Sequence, residues 1–315
     1  VLIENFRPGT MERLGLGHQD LRAANPKLVT CSITGFGRTG PDADRPGYDL
    51  IIQGEAGLMD ITGIPEGPPT KIGTSIADLV TGQFASQGIT AALLERSRTG
   101  RGRHVDVAML DSLASLLTFN AGIYFTTGRS PGRRGNAHAT ITPYETFEAK
   151  DGWINIGVAN DKFWQLFCGA IERPDLAADA RFARAEDRVR RRDELTPIVA
   201  DAIAARPRRH WIDVLTRAGV PCGDIRSVQE VCEAEQLTSR GMVIEMNHPT
   251  AGLVRNIDSP LRFDDSNDDQ HSPPPLLGQH TAEVLEQLLG LSRGQVRELA
   301  GRGVVRCREL ESGDG

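Results

Sequence analysis

Cysteine and aromatic residues are scarce in this 315-residue chain. Three Trp, three Tyr and ten Phe make up 5% of it, and there are five Cys, at 31, 168, 222, 232 and 307. The closest cysteines, Cys222 and Cys232, are ten residues apart, which excludes a CxxC motif, zinc-ligand spacing and a disulfide framework. Such a sparse, odd set in a long chain fits a reducing compartment, so a cytoplasmic protein is expected. The seven histidines (18, 104, 138, 210, 248, 271 and 280) show neither HxH nor HxxxH spacing, and no metal is expected. His18, His248 and His280 are expected on the surface or at element ends. No apolar run approaches the roughly 18 residues of a membrane span, and no signal-peptide pattern opens the chain. Positive charge is not in excess: 36 Lys and Arg stand against 42 Asp and Glu, a net charge of −6. A nucleic-acid binder needs a basic surface, so that class is excluded. There is no GxSxG elbow, no P-loop and no internal repeat.

What is present is a turn-rich globular composition, 39% hydrophobic with 34 Gly and 18 Pro. The length predicts about two domains and is ample for a sizeable core. The chain opens on Val1 rather than Met, and Val1-Leu2-Ile3 has the character of a strand already under way; an N-terminally truncated fragment is expected.

Hydrophobic periodicity and turn residues predict an α/β first part. Strands are expected over Leu28–Ile33 and His104–Val107, and helices over Leu50–Met59 and 79–96, the latter stopping at Thr99-Gly100-Arg101-Gly102. The almost charge-free stretch Met109–Phe125 predicts a buried helix. From about residue 129 the character changes, with Arg129 to Gly135 as a linker or functional loop. Strands follow over Thr142–Phe147 and Trp153–Val158, then helices over Asp161–Ile171, Asp193–Ala204 and Arg208–Ala218. The mixed-sign run Arg184–Glu194 is most simply a solvated helix face. Strands at Met242–Met246 and Leu253–Asn256, helices at Thr281–Leu289 and Ser292–Gly301, and a frayed tail over 306–315 close the chain. The expected domains are 1–128, 129–250 and a segment 251–315 returning to the first.

Three motifs bear on chemistry. Gly35-Phe36-Gly37-Arg38-Thr39-Gly40 is a literal GxGxxG after a strand. A dinucleotide site needs a helix to open at the third glycine; Pro41 to Gly47 is loop chemistry instead, so NAD binding is rejected. Asp78 sits at the start of a strong helix. Its simplest role is an N-cap, yet Gly73, Ala77 and Gly82 leave room for a ligand, and a helix N-terminus favours negative charge. Glu4-Asn5-Phe6-Arg7-Pro8-Gly9 is either a tight turn or a ledge where Phe6 stacks on a flat ring and Arg7 or Arg13 meets phosphates.

Taken in order, several segments resemble the family III CoA-transferases (the CaiB/BaiF family). They are Glu4 to Gly9, Leu14-Gly15-Leu16-Gly17, Cys31 to Gly37, Arg45-Pro46-Gly47-Tyr48-Asp49, Ile76-Ala77-Asp78-Leu79 and Arg101 to Val107. Arg134-Gly135-Asn136-Ala137-His138, Asp151-Gly152-Trp153 and Leu277-Gly278-Gln279-His280-Thr281 continue the match. Each motif is weak alone; the shared order is specific. The resemblance implies a Rossmann-like large domain with a smaller α+β domain, in an interlocked homodimer. It implies that Asp78 is the nucleophile and that Asn5, Phe6, Arg7, Arg13, Arg45, Pro46, Gly47 and Tyr48 bind coenzyme A. The partners it implies are an acyl-CoA and a small carboxylic acid, and the activity is transfer of CoA between them.

Two alternatives stand beside transfer. One is acyl-CoA α-carbon racemisation; family racemases carry a histidine where this chain has Tyr48. Proton removal near neutral pH suits an imidazole, with an ordinary pKa of about 6.5, and not a phenol, at about 10. Tyr48 therefore favours transfer over a 2-methylacyl-CoA racemase or epimerase. The other is a non-catalytic CoA-binding remnant. Formyl/oxalate transferases of the family carry a run of consecutive glycines where this chain has Gly132-Arg133-Arg134-Gly135-Asn136, a departure that argues against oxalate. Arg133 and Arg134 are open to a carboxylate, to CoA phosphates or, as exposed loop arginines commonly are, to solvent, and Asp49 to either ligand orientation or helix capping.

Overall fold

Small and β-branched residues at Thr30-Cys31-Ser32-Ile33-Thr34 favour an extended chain with both faces covered. In the computed structural model, which describes residues 1–264 and 271–308, this segment is the central strand of a parallel sheet. The strands are β1 (Leu2–Glu4), β2 (Thr30–Thr34) and β3 (His104–Ala108), in the order β1-β2-β3. Short helices α1 (Thr10–Arg13) and α2 (His18–Ala24) connect β1 to β2. Between β2 and β3 lie α3 (Asp49–Glu55), α4 (Leu58–Ile61) and the 24-residue α5 (Ile76–Thr99). At 1.5 Å per residue α5 is about 36 Å long, roughly twice a five-residue strand. A crossover helix runs antiparallel to the strands it joins, so α5 begins at the sheet's carboxyl edge.

Two expectations of single helices are corrected here. Leu50–Met59 is broken into α3 and α4 at Gly57, whose φ of 81° ends one helix and starts the next. Met109–Phe125 is three pieces: α6 (Met109–Ala114), a 3-10 turn (Ser115–Leu117) and α7 (Thr118–Thr127), with Thr118 at φ 41°. Nor is α7 buried. None of its residues is buried, and Phe125 is 81% exposed. Its apolar composition asks for a cover, and the described residues of this chain supply only part of one.

The second half of the same compact unit, which spans Val1–Ile225, is built on an antiparallel sheet. Its strands are β4 (Tyr144–Ala149), β5 (Gly152–Gly157) and, later in the chain, β6 (Cys222–Asp224), in the order β4-β5-β6. Helices α8 (Asp161–Ala170), α9 (Pro174–Ala178), α10 (Ala185–Arg190), α11 (Arg192–Ala204) and α12 (Arg208–Arg217) surround it. Phe147, Ile154, Ile156, Trp164, Phe167, Phe182, Leu195 and Leu215 form one continuous core. The charged run 184–194 is not simply a solvated face. Arg188 is fully buried. Its guanidinium donates to Thr142 O (3.1 Å), Phe182 O (3.0 Å), Ala183 O (3.3 Å) and Asp161 Oδ1 (2.9 Å), and it lies over the Trp164 ring. Burial of an arginine is tolerable because this set of acceptors replaces its water.

The remaining unit, from Arg226 on, holds α13 (Val228–Cys232), α14 (Glu235–Ser239), a hairpin of β7 (Val243–His248) and β8 (Gly252–Ile257), and helices α15 (Thr281–Leu289) and α16 (Arg293–Gly301). Capping boxes, Ser227 with Glu230 and Ser292 with Gln295, start α13 and α16. His248 Nδ1 accepts from Thr250 N and Ala251 N at the hairpin turn, and His280 is the N-cap residue of α15. Of the tail foreseen over 306–315, residues 309–315 lie outside the described residues, and Cys307 is buried. No helix among the described residues is long and apolar enough to cross a membrane.

Candidate active site

The carboxyl ends of β1, β2 and β3 lie on one edge of the sheet, the edge where open parallel sheets bind ligands. The loop after β2 is cinched at its base. A Cβ on Gly35 would stand 2.8 Å from Gly47 Cα, so both positions must lack a side chain for the two backbones to cross. This crossing gives the first glycine of the GxGxxG its role. No helix opens after Gly40; the next begins at Asp49. Arg45 lies over the Phe36 ring at 4.3 Å and pairs with Glu55 (2.6 Å) and Asp42 (3.2 Å). Its charge is therefore already engaged. Pro46 is exposed, and Tyr48 is 79% exposed, so packing does not account for that ring.

The turn after β1 holds the other ledge residues. Asn5 Nδ2 donates to Ile33 O at 2.7 Å, tying the turn to β2. Phe6 is exposed, its N–H donating to Glu4 Oε2. Arg13 Nη2 donates to Thr10 Oγ1. Arg7 is exposed and makes no side-chain hydrogen bond or ion pair among the described residues.

Asp78 does not cap α5. The N-cap position is Ser75, which makes no side-chain capping bond, and Asp78 stands in the first turn. The capping is done from another helix. Asp49 Oδ1 accepts the N–H of Ala77 at 3.0 Å, and Asp49 Oδ2 accepts Nε2 of Gln53 at 2.8 Å. Gln53 is fully buried, and its Oε1 accepts the N–H of Ile72 at 2.8 Å. One aspartate and one glutamine thus clamp the entry to α5, satisfying donors that a helix start leaves open. Ala77 is buried in a cluster with Phe36, Ile52, Met109 and Leu113, so it anchors the turn rather than making room for a ligand. Gly73 and Gly82 have open space beside them. The Asp78 side chain is exposed and has no hydrogen bond or ion pair among the described residues. Gln53 was missed from the sequence. Its signal was the Asp49–Gln53 spacing of four on a helix, a faint one without knowledge of what lay opposite. Among the described residues no three His, Cys, Asp or Glu side chains are grouped to hold a metal ion.

The whole chain, and not this edge alone, bears comparison with known proteins. Residues 1–281 match the sequence pattern of CoA-transferase family III. The chain is 37% identical over 311 residues to the mouse (Mus musculus) succinyl-CoA:glutarate CoA-transferase, covering 99% of this chain and 71% of that protein. It is 40% identical over 290 residues to the acetyl-CoA:oxalate CoA-transferase of Acetobacter aceti, covering 91% and 73%. A crystal structure of a CaiB/BaiF family protein from Brucella suis superposes with a TM-score of 0.77 at 40% identity, covering 91% of this chain and 74% of that one. The chain belongs to CoA-transferase family III. Its α/β architecture, a three-stranded parallel Rossmann-like sheet with a three-stranded antiparallel one, is that of the family.

Proposed function

We propose that this chain moves coenzyme A from an acyl-CoA to a free dicarboxylic acid through a covalent intermediate on Asp78. The observation that carries the reading is a carboxylate with no partner of its own, on a helix turn fixed from outside by Asp49 and Gln53. Carboxylates serve as covalent nucleophiles when the product must stay energetic. Asp78 attacks the acyl carbonyl and expels CoA thiolate, forming a mixed anhydride. The thiolate attacks the aspartyl carbonyl and releases the first acid, leaving an aspartyl-CoA thioester. The second acid attacks that thioester and expels the thiolate, which then takes the new acyl group and frees Asp78. No step loses the thioester's energy to water, provided water is kept out.

The CoA ledge is Asn5, Phe6, Arg7 and Arg13 with the loop Arg45 to Tyr48. Within it the cations play different parts. Arg7 is free to meet phosphate, whereas Arg45 is held by Glu55 and Asp42 and shapes the loop over Phe36. The acids in the relatives' names, glutarate, succinate and oxalate, each carry two carboxylates, which supports a dicarboxylic acceptor. The exposed Phe119, Tyr124 and Phe125 of α7 support a homodimer. The five free thiols fit a cytoplasmic setting.

The test is to incubate the protein with an acyl-CoA and hydroxylamine and digest it for mass spectrometry. A hydroxamate on Asp78 is expected. Asp78→Ala should lower transfer by about a thousandfold or more. Normal transfer by that variant, or a hydroxamate elsewhere, overturns the reading.

A further inference from the structure

The loop after α7 is fastened to the segment that leads from α4 toward the Asp78 turn. Gly135 N donates to Gly63 O at 2.8 Å, and Ser130 Oγ donates to Asp60 Oδ2 at 2.7 Å. Between this loop and the start of α7 lies a cavity of about 220 Å³, lined among others by Ile61, Phe119, Asn120, Arg134, His138 and Tyr144. Pockets for drug-sized ligands span roughly 300–1,000 Å³, so this smaller space suits a small acid. Ile61 also packs against the cluster that holds Ala77, next to Asp78.

Two of the polar groups of this cavity, on Arg134 and His138, can present donors. Arg134 makes no side-chain hydrogen bond or ion pair among the described residues and is exposed. His138 Nδ1 accepts the backbone N–H of Thr140 at 3.2 Å. A backbone N–H can only donate, so the neutral ring carries its proton on Nε2 and presents a donor there. Phe119 and Tyr144 flank that ring, with centroids 5.8 and 5.3 Å away. A guanidinium fork and an imidazole N–H together match one carboxylate.

We propose that this cavity binds the carboxylate of the substrate acid that does not react, with Arg134 as its ion-pair partner and His138 as a hydrogen-bond donor. It rests on the transfer reading above and adds the subsite that selects dicarboxylic acids. Arg133, the neighbouring cation, is differently placed: its Cδ lies against Gly63 and its Nε is buried.

Titration calorimetry tests this without turnover, with glutarate, pentanoate and adenosine 3′,5′-bisphosphate as probes. The unaltered protein should bind glutarate at least about tenfold more tightly than pentanoate. Arg134→Gln should remove that advantage and leave pentanoate unchanged, and Arg134→Lys should retain part of it. Arg134 is exposed and unpartnered, so equal melting temperatures are expected for all three proteins. Glutarate binding no tighter than pentanoate, or undiminished by Arg134→Gln, overturns the proposal. So does a loss in Arg134→Gln confined to the bisphosphate, which would assign the arginine to a CoA phosphate. The hydroxamate experiment decides the Asp78 reading separately, so either idea can fail while the other stands.

Discussion

The two halves of the first unit bury their apolar residues to different degrees. Around β4-β5-β6 the core is closed: Trp164, Phe167, Phe182, Leu195, Val199, Ile203 and Leu215 are almost wholly inaccessible, and even an arginine has been taken inside. Along the carboxyl edge of β1-β2-β3 the reverse holds. Phe6, Tyr48, Ile51 and Leu79 are exposed there, as Phe119 and Phe125 are on α7, and Arg7 and Asp78 stand without partners among the described residues. Isolated exposed apolar side chains are ordinary, but a concentration of them beside unpaired charges marks a surface kept for binding. The antiparallel sheet closes its core within one chain, while the parallel sheet leaves its carboxyl edge open.

The contrast is broken most severely at Arg188. Arg188→Ala removes the donor that three backbone carbonyls and Asp161 share. Buried acceptors left unsatisfied cost about 1–3 kcal/mol each, so a loss of about 3 kcal/mol or more in denaturant unfolding is expected. A loss under about 1 kcal/mol would mean that water reaches these groups and the core is less closed than described. Asp49→Ala probes the open edge. It strips the acceptor from Ala77 N and from the buried Gln53 amide, which should cost about 1–3 kcal/mol. If the clamp positions Asp78, transfer should also fall about ten- to hundredfold in kcat with little change in KM for acyl-CoA. Asp49→Asn should lie between, since one acceptor oxygen remains. Unchanged kcat would reduce the clamp to a structural tie.

Much of the fold was legible because it rests on local signals. Alternating or continuous apolar runs marked β2, β3, β4 and β5, and the long α5 was plain from its period. What escaped were features set by partners distant in sequence. Nothing in the run 184–194 distinguishes Arg188 from its charged neighbours; its partners do so, among them the carbonyl of Thr142, 46 residues away, and Asp161. Asp78 looked like a cap because the residue that relieves it of capping, Asp49, sits on another helix. The short β6 was missed because Cys222-Gly223-Asp224 has little strand character and is held by pairing with β5. The charge-free stretch at α7 misled because apolar composition signals burial without saying which molecule provides the cover. Phe125→Ser should therefore leave the unfolding midpoint of a single chain within about 0.5 kcal/mol, yet weaken self-association in sedimentation. Unaltered sedimentation would detach α7 from the proposed dimer.

The smallest effect is expected at the amino edge of the parallel sheet. His18, expected on the surface or at an element end, opens α2 and stacks its ring 4.4 Å from that of His104. His104 Nδ1 lies 2.9 Å from Thr30 Oγ1 and its Nε2 3.3 Å from Arg38 Nη1. A guanidinium only donates, so Nε2 is the acceptor and the ring is neutral with its proton on Nδ1. Arg38 is itself fixed by Glu12 at 2.6 Å and by Ser32 Oγ at 3.2 Å. Burial, then His18, then Arg38 hold the His104 pKa below the ordinary imidazole value, against a smaller opposing pull from Asp106 and Glu4. Because the folded pKa is the lower one, the unfolded chain takes up the proton first as the solution is acidified. The contribution of His104 is thus complete above about pH 6.5 and is lost as pH falls below it. His104→Asn keeps a donor toward Thr30 and cannot ionise. Denaturant midpoints measured at about pH 5 and pH 7.5 should therefore differ less in the variant than in the unaltered protein. Equal differences would show that the imidazole pair carries no part of the acid sensitivity, leaving it to the carboxylates of the fold.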